Sequence, residues 1–203
     1  MGRIAAPPER VPPGQFVTDK FPVLHAGSVP WFDPKTWDLR IYGDVDAPLT
    51  LSYAQVRALP SVEVTTDIHC VTTWSKLDAA FKGVPTTHVL DLVRPHPDVR
   101  YVVCECEQGF TANVHIEDLR KPASLLAYGY NGKDLTPEHG FPLRMFVPHR
   151  YFWKSAKWLR AIRFSKDDER GFWETRGYHN NADPWNEERY GGSEDLVPRG
   201  VKF

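Results

Sequence analysis

Along this chain apolar and polar positions alternate with a period of two in several short stretches, separated by runs with helical spacing, which predicts strands joined by short helices. Asp38 to Val45 (DLRIYGDV) sets Leu39, Ile41 and then Val45 apart from polar neighbours, and Gly43 breaks the run as a bulge or turn would. Ser52 is placed to cap a short helix, YAQVRAL, which Pro60 ends, and VEVTTDIH then alternates Val62, Val64, Thr66 and Ile68. Cys70 follows at the end of that strand, where the chain turns into a polar loop. After Gly83, THVLDLV has helical spacing and stops before Pro95, and YVVCEC reads as a buried strand. LLAYGY followed by Asn131-Gly132 is a hairpin signal, LRMFV is a further strand, and WLRAIRF alternates Trp158, Arg160, Ile162 and Phe164. These elements predict an α+β fold with mixed, β-rich sheets. Residues 15–190 form one domain, 1–14 an extended lead-in with four prolines and two glycines, and 191–203 a flexible tail in which LVPRG resembles a thrombin-site remnant of an expression tag.

Composition narrows the function. The chain has 203 residues, enough for a sizeable core, and 25 Lys+Arg stand against 26 Asp+Glu, which excludes a globally basic nucleic-acid binder. No apolar run approaches the roughly 18 to 20 residues of a membrane span. The amino end shows no apolar stretch, twin arginine or cleavage site, so the expected compartment is the cytoplasm. Three cysteines, Cys70, Cys104 and Cys106, are an odd number, the last two too close in sequence to pair, which argues against a disulfide framework; a four-cysteine iron–sulfur cluster lacks ligands, and no Cys-x-x-Cys-His is present for covalent haem.

Charge is less even than the totals suggest. Between Arg144 and Lys166 lie seven Lys/Arg and no acidic residue, interleaved with Tyr151, Phe152, Trp153 and Trp158. Such a run is either a solvated basic face or an anion site, for a phosphate-bearing cofactor or for single-stranded nucleic acid stacked on the aromatics. Cys70, in DIHCVTTWS, is either a small buried hydrophobe or a thiolate metal ligand. Zinc could draw on Cys104, Cys106 and histidines, yet the spacing matches no zinc motif. His139 and Arg144 in EHGFPLR, with Ser155 and Lys157 in KSAKW, put imidazole, guanidinium, hydroxyl and ammonium donors in one short region, as a bound phosphate requires. No Walker loop, Gly-x-Gly-x-x-Gly, His-Glu-x-x-His or Gly-x-Ser-x-Gly occurs.

The blocks FVTDKFPVL, HCVTTWSK, EHGFPLR, VPHRYFWKSAKWL and GFWETRGYHNNADPW, in that order over residues 15 to 190, resemble the molybdopterin domain of the sulfite oxidase family. The likeness is closest to its short bacterial members and to the methionine-sulfoxide reductase catalytic subunit. The resemblance implies an enzyme with a molybdenum–molybdopterin cofactor in which Cys70 is the protein thiolate on the metal. His139, Arg144, Ser155 and Lys157 match the family's cofactor contacts, and Thr18, Asp19, Lys20 and Phe21 align with its loop over the cofactor. One further contact is expected near Cys104 to Cys106, and Tyr178 matches the tyrosine that faces the substrate.

Two departures bear on the substrate. Sulfite oxidases clamp their dianion with arginines, whereas this chain has Thr18 at one such place and Trp74-Ser75 after the cysteine. Charge-assisted bonds of about 1.5 to 3 kcal/mol each are then missing for sulfite, so the resemblance implies oxygen-atom transfer with reduction of a small S-oxide or N-oxide, with Arg176 or His179 available to supply charge from the far side. Sulfite oxidation, or a binding module for pterin or single-stranded nucleic acid, are the alternatives. The family likeness further implies a monomer or weak dimer exchanging electrons with a separate protein or small carrier.

Overall fold

The computed structural model describes residues 4–191; of the expected tail, all but Gly191 lies outside the described residues, the LVPRG segment included. In chain order the first elements are β1 (Phe16–Val17), β2 (Asp38–Gly43), β3 (Leu49–Ser52), α1 (Tyr53–Ala58), β4 (Val62–His69), β5 (Trp74–Pro85) and α2 (Thr86–Val93). There follow β6 (Tyr101–Cys106), β7 (Thr111–His115), α3 (Ile116–Leu119), β8 (Leu125–Tyr130), β9 (Lys133–Asp134), β10 (Arg144–Phe146) and β11 (Leu159–Ser165). They make two mixed sheets of one α+β domain. The first runs β1-β5-β8-β10, with β4 also on β5 and β9 on β8; the second runs β3-β2-β11-β6-β7.

Side-chain alternation explains the layering. Leu39 and Ile41 of β2, Val102, Cys104 and Cys106 of β6, and Ile162 and Phe164 of β11 point into one core with Val84, Leu126, Tyr128 and Met145 from the first sheet. The intervening residues of that sheet, Phe81, Leu125, Ala127 and Phe146, face the opposite way, into a second cluster with Tyr151, Phe152 and Trp74. β8 is thus covered on both faces, which is why LLAYGY reads as a continuous apolar run. The second cluster borders a cleft that residues packed on the first core also line.

Local signals formed the expected elements with small shifts. The Ser52 hydroxyl and the Gln55 side chain complete a reciprocal capping box on α1. Asn131 and Gly132 both have positive φ, +48° and +75°, as the β8–β9 hairpin turn requires. The expected strand Asp38–Val45 ends at Gly43, whose φ is +100° and where a Cβ would meet Phe164 O at 2.2 Å; Val45 makes only an isolated bridge to Pro95. The long strand β5 was not foreseen. At the register shift between Thr66 and Ile68, Asp67 Oδ1 accepts the Asp78 amide at 3.0 Å, Asp78 takes a φ of +53°, and alternation is lost. Arg10 clamps the same place, donating to Asp67 at 2.6 and 2.9 Å and to Asp78 at 2.7 Å, and so anchors part of the lead-in.

Candidate functional site

The polar loop after β4 is a tight hairpin connection to β5. The Cys70 amide donates to Trp74 O at 2.9 Å, Cys70 O accepts from the Thr73 amide at 3.0 Å, and Thr73 has a φ of +73°. This is a turn closed by a left-handed residue, where glycine is usual; a β-branched residue there costs of order 1–3 kcal/mol and persists because its surroundings hold it. Phe16 N–H donates to Thr73 O at 2.8 Å, Gln15 Nε2 to Cys70 O at 3.0 Å, and Arg189 Nη1 to Val71 O at 2.7 Å. Cys70 is thereby fixed at the mouth of the sheet. Burial pushes its thiol pKa up, against Thr72 Oγ1, which donates to Sγ at 3.1 Å, and the nearby Arg189 guanidinium.

A cleft of about 270 Å³ opens over Cys70. Arg144, at the start of β10 and only 1% exposed, also lines it. Its guanidinium donates to His139 O at 2.9 Å and Ser155 O at 2.5 Å and lies 4.3 Å above the Phe152 ring, but its buried Nε has no partner. Among the described residues it pairs with no carboxylate, and burial pushes its pKa down to about 9. Lys157 donates to Glu138 O at 2.6 Å, and burial together with Arg144 brings it down to about 7. Ser155 Oγ accepts the Val147 amide at 3.0 Å, and His139 stacks on Phe21 at 4.0 Å while its Nε2 contacts Phe21 O at 3.1 Å. Burial pushes His139 down. Arg144, buried with no carboxylate partner among the described residues, and the half-buried Lys157, which has Glu138 nearby, put two cations on one cleft, an arrangement suited to an anion with several acceptor oxygens.

The third wall is aromatic. Tyr178 packs against Trp153 at 5.1 Å and Trp173 at 5.0 Å, and both tryptophans line the cleft with Phe110. Burial pushes the Tyr178 phenol up, with Tyr190 and Cys70 adding to it. Cys70, Phe21, His139, Arg144, Ser155, Lys157 and Tyr178 thus share one cleft.

Other expected residues do not reach it. The Thr18 amide donates to Ser75 O at 2.9 Å and Thr18 Oγ1 accepts the Lys20 amide at 3.1 Å, while Asp19 O accepts from Lys76 Nζ at 2.9 Å; Thr18, Asp19 and Lys20 lie beside the cleft rather than on it. Arg176 lies 3.6 Å over the Phe172 ring, and His179 Nδ1 takes the Asn181 and Ala182 amides at 3.2 Å, so neither aims charge at Cys70. Cys104 and Cys106 point into the core between the sheets and do not line the cleft with Cys70. Among the described residues no cluster of three metal-ligating side chains occurs.

The basic run resolves by partner. Arg150 pairs with Asp118, Lys154 with Glu174, Arg160 with Asp38 and Glu107, Arg163 with Glu105 and Glu169, and Lys166 with Asp98. Arg144 and Lys157 remain, and both line the cleft. Of the walls, the sequence reading marked Trp74 and missed Phe110 and Trp173, which carry no local chemistry to mark them, while Arg189 comes from a distant segment.

Comparison with known proteins agrees with this geometry. The family described as oxidoreductase molybdopterin binding domain matches residues 26–173. The "Uncharacterized oxidoreductase YuiH" of Bacillus subtilis is 50% identical over 182 residues, 89% of this chain and 92% of that protein. The "Protein-methionine-sulfoxide reductase catalytic subunit MsrP" of Campylobacter jejuni is 25% identical over 192 residues, 84% of this chain and 64% of that protein. The fold is similar to that of the sulfane dehydrogenase SoxCD from Paracoccus pantotrophus, with a TM-score of 0.63 at 18% identity, covering 73% of this chain and 42% of that one. Among the described residues no helix is long and apolar enough to cross a membrane. With Cys70, the buried Arg144 and the half-buried Lys157 lining one cleft, and a family match across most of the domain, this chain belongs to the molybdopterin-binding oxidoreductases of the sulfite oxidase type.

Proposed function

We propose that the chain holds molybdenum with its pterin in this cleft, Cys70 being the protein thiolate on the metal, and that it reduces a small neutral S-oxide or N-oxide. The observation that carries the reading is Arg144, a fully buried guanidinium with an orphaned Nε and no carboxylate, which a cofactor phosphate would satisfy. When bound, the group supplies the redox and oxygen-transfer chemistry. Arg144, Lys157 and Ser155 would hold its phosphate, and His139 stacked on Phe21 would flank the pterin. Thr18, Asp19 and Lys20 would support the Phe21 strap through their backbone bonds. Tyr178, whose phenol burial keeps protonated, would donate a hydrogen bond to the substrate oxygen, while Trp153, Trp173 and Phe110 keep water from the reacting end.

A neutral substrate is favoured because the charged side chains lining the cleft, Arg144 and Lys157, are taken by the phosphate, and the side chains around Tyr178 are aromatic. The name of MsrP points the same way, toward an S-oxide. Electrons would come from a separate protein or small carrier, with the chain acting as a monomer in the cytoplasm. The test is molybdenum and pterin content of wild type and Cys70→Ser from a host that makes the cofactor, followed by oxidation of a reduced dye by methyl sulfoxides and amine N-oxides. Near one molybdenum and one pterin per wild-type chain, with the metal lost in the variant, is expected. Neither in the wild type, with a control enzyme loaded in the same host, overturns the reading; turnover of sulfite but of neither oxide reverses its direction.

A further inference from the structure

Beneath the aromatic wall lies a buried charge pair that the cofactor site does not use. Lys154 Nζ and Glu174 Oε1 are 2.6 Å apart, and both side chains are 1% exposed. Glu174 Oε1 also accepts the Trp153 indole N–H at 2.8 Å, and its Oε2 has no partner. Lys154 donates onward to Asn113 O and Oδ1, each at 2.8 Å, and Asn113 donates to Asp168 at 2.7 Å and to Asn180 at 2.8 Å. Glu174 opens the turn that carries Tyr178: Gly177 N–H donates to Glu174 O at 3.2 Å and Tyr178 N–H to Trp173 O at 3.1 Å. Glu174 therefore meets the Tyr178 wall twice: its carboxylate, held by Lys154, fixes the indole on one side of the Tyr178 ring, and its main-chain oxygen helps close the turn that bears that ring.

A buried ion pair is weak as a stabiliser, since apolar residues of similar volume often do as well. What an apolar pair could not do is accept the Trp153 N–H and set the indole plane, which stands at 80° to the Tyr178 ring. We propose that Lys154 and Glu174 are positioning residues for the substrate wall, Glu174 orienting Trp153 and through it Tyr178, and Lys154 keeping that carboxylate charged and in place. This rests on the reading of the cleft as the oxygen-transfer site.

Two double variants separate positioning from fold support, since each removes the charge from both partners: Lys154→Met with Glu174→Leu deletes the indole acceptor, and Lys154→Met with Glu174→Gln keeps one. In the loaded enzymes the first should raise KM for the oxide about tenfold, the equivalent of about 1.4 kcal/mol, with kcat less affected and molybdenum content unchanged, and the second should restore KM to within about threefold of wild type. In cofactor-free protein, NMR should show the Trp153 indole proton losing its exchange protection and the Tyr178 ring resonances shifting in the first variant but not in the second. Wild-type indole protection and Tyr178 resonances in the Met/Leu variant would overturn the proposal, as would equal KM for the two variants in an enzyme that turns over. If no oxide is turned over by wild type, the oxygen-transfer reading fails by itself, and the NMR arm still decides whether Glu174 sets the wall.

Discussion

Arg144→Met tests whether the cleft is built for an anion. The fall of the guanidinium from its ordinary 12.5 to about 9 corresponds, at 1.36 kcal/mol per pKa unit, to a penalty on the order of 5 kcal/mol on the charged form in the empty cleft. Against it stand two charge-assisted hydrogen bonds, to His139 O and Ser155 O, worth about 1.5–3 kcal/mol each. The two nearly cancel, so a side chain of similar length without charge should leave the cofactor-free protein within about 2 kcal/mol of wild type. Removing one member of a satisfied buried ion pair would instead cost about 3–5 kcal/mol. The assay is urea unfolding of both proteins from a host that makes no pterin, paired with molybdenum and pterin content from a host that does. Near-equal cofactor-free stability with at least a tenfold loss of retained cofactor is expected. A cofactor-free variant weaker by more than about 4 kcal/mol that still loads normally would mean that the arginine serves the fold, and the anion argument would fall.

The other two predictions concern the frame around the cleft. His69 is 5% exposed beside Cys70, shares a 2.8 Å hydrogen bond with Ser75 Oγ, and burial pushes its pKa down to about 4. Because the unfolded chain binds the proton first, near the ordinary 6.5, stability should be fully present above that pH and fall by on the order of 3 kcal/mol as pH drops to about 4; urea midpoints against pH should show this limb in wild type, and His69→Gln should flatten it. Gly83 sits at the register shift where β5 meets β8, and a Cβ there would meet Leu126 O at 2.2 Å. Gly83→Ala should cost about 2 kcal/mol or more, lowering Tm by roughly 4–8 °C; a Tm within 1 °C of wild type would show that the two strands can part without loss.

Much of the fold was legible because most elements obey local rules. The Ser52 cap with Gln55, the helical spacing of α2 and the Asn131-Gly132 turn each act within a few residues, and the structure keeps all three. β5 was illegible for a physical reason. Its alternation is interrupted where Asp78 turns to positive φ to meet Asp67, and Arg10, 68 residues from Asp78, completes the contact. A period-two reading cannot anticipate a break whose compensation comes from another part of the chain.

The site was legible where residue chemistry is intrinsic and illegible where it depends on partners. Cys70, His139, Arg144, Ser155, Lys157 and Tyr178 stand out in blocks of sequence, and they line one cleft. The stretch from Arg144 to Lys166 shows only cations in sequence, which left a nucleic-acid face as open as a phosphate site. Five of its seven cations lie against carboxylates, chiefly from other strands and turns, and a paired cation offers a phosphate backbone little. Lys154 is the sharpest case, because in sequence it resembles Lys157, three residues on. One is ion-paired with Glu174 under the aromatic wall, and the other lines the cleft with no carboxylate in ion-pair contact among the described residues. Charge count therefore gives the size of the electrostatic resource, and only the fold divides it between cations paired in the frame and cations that line the cleft.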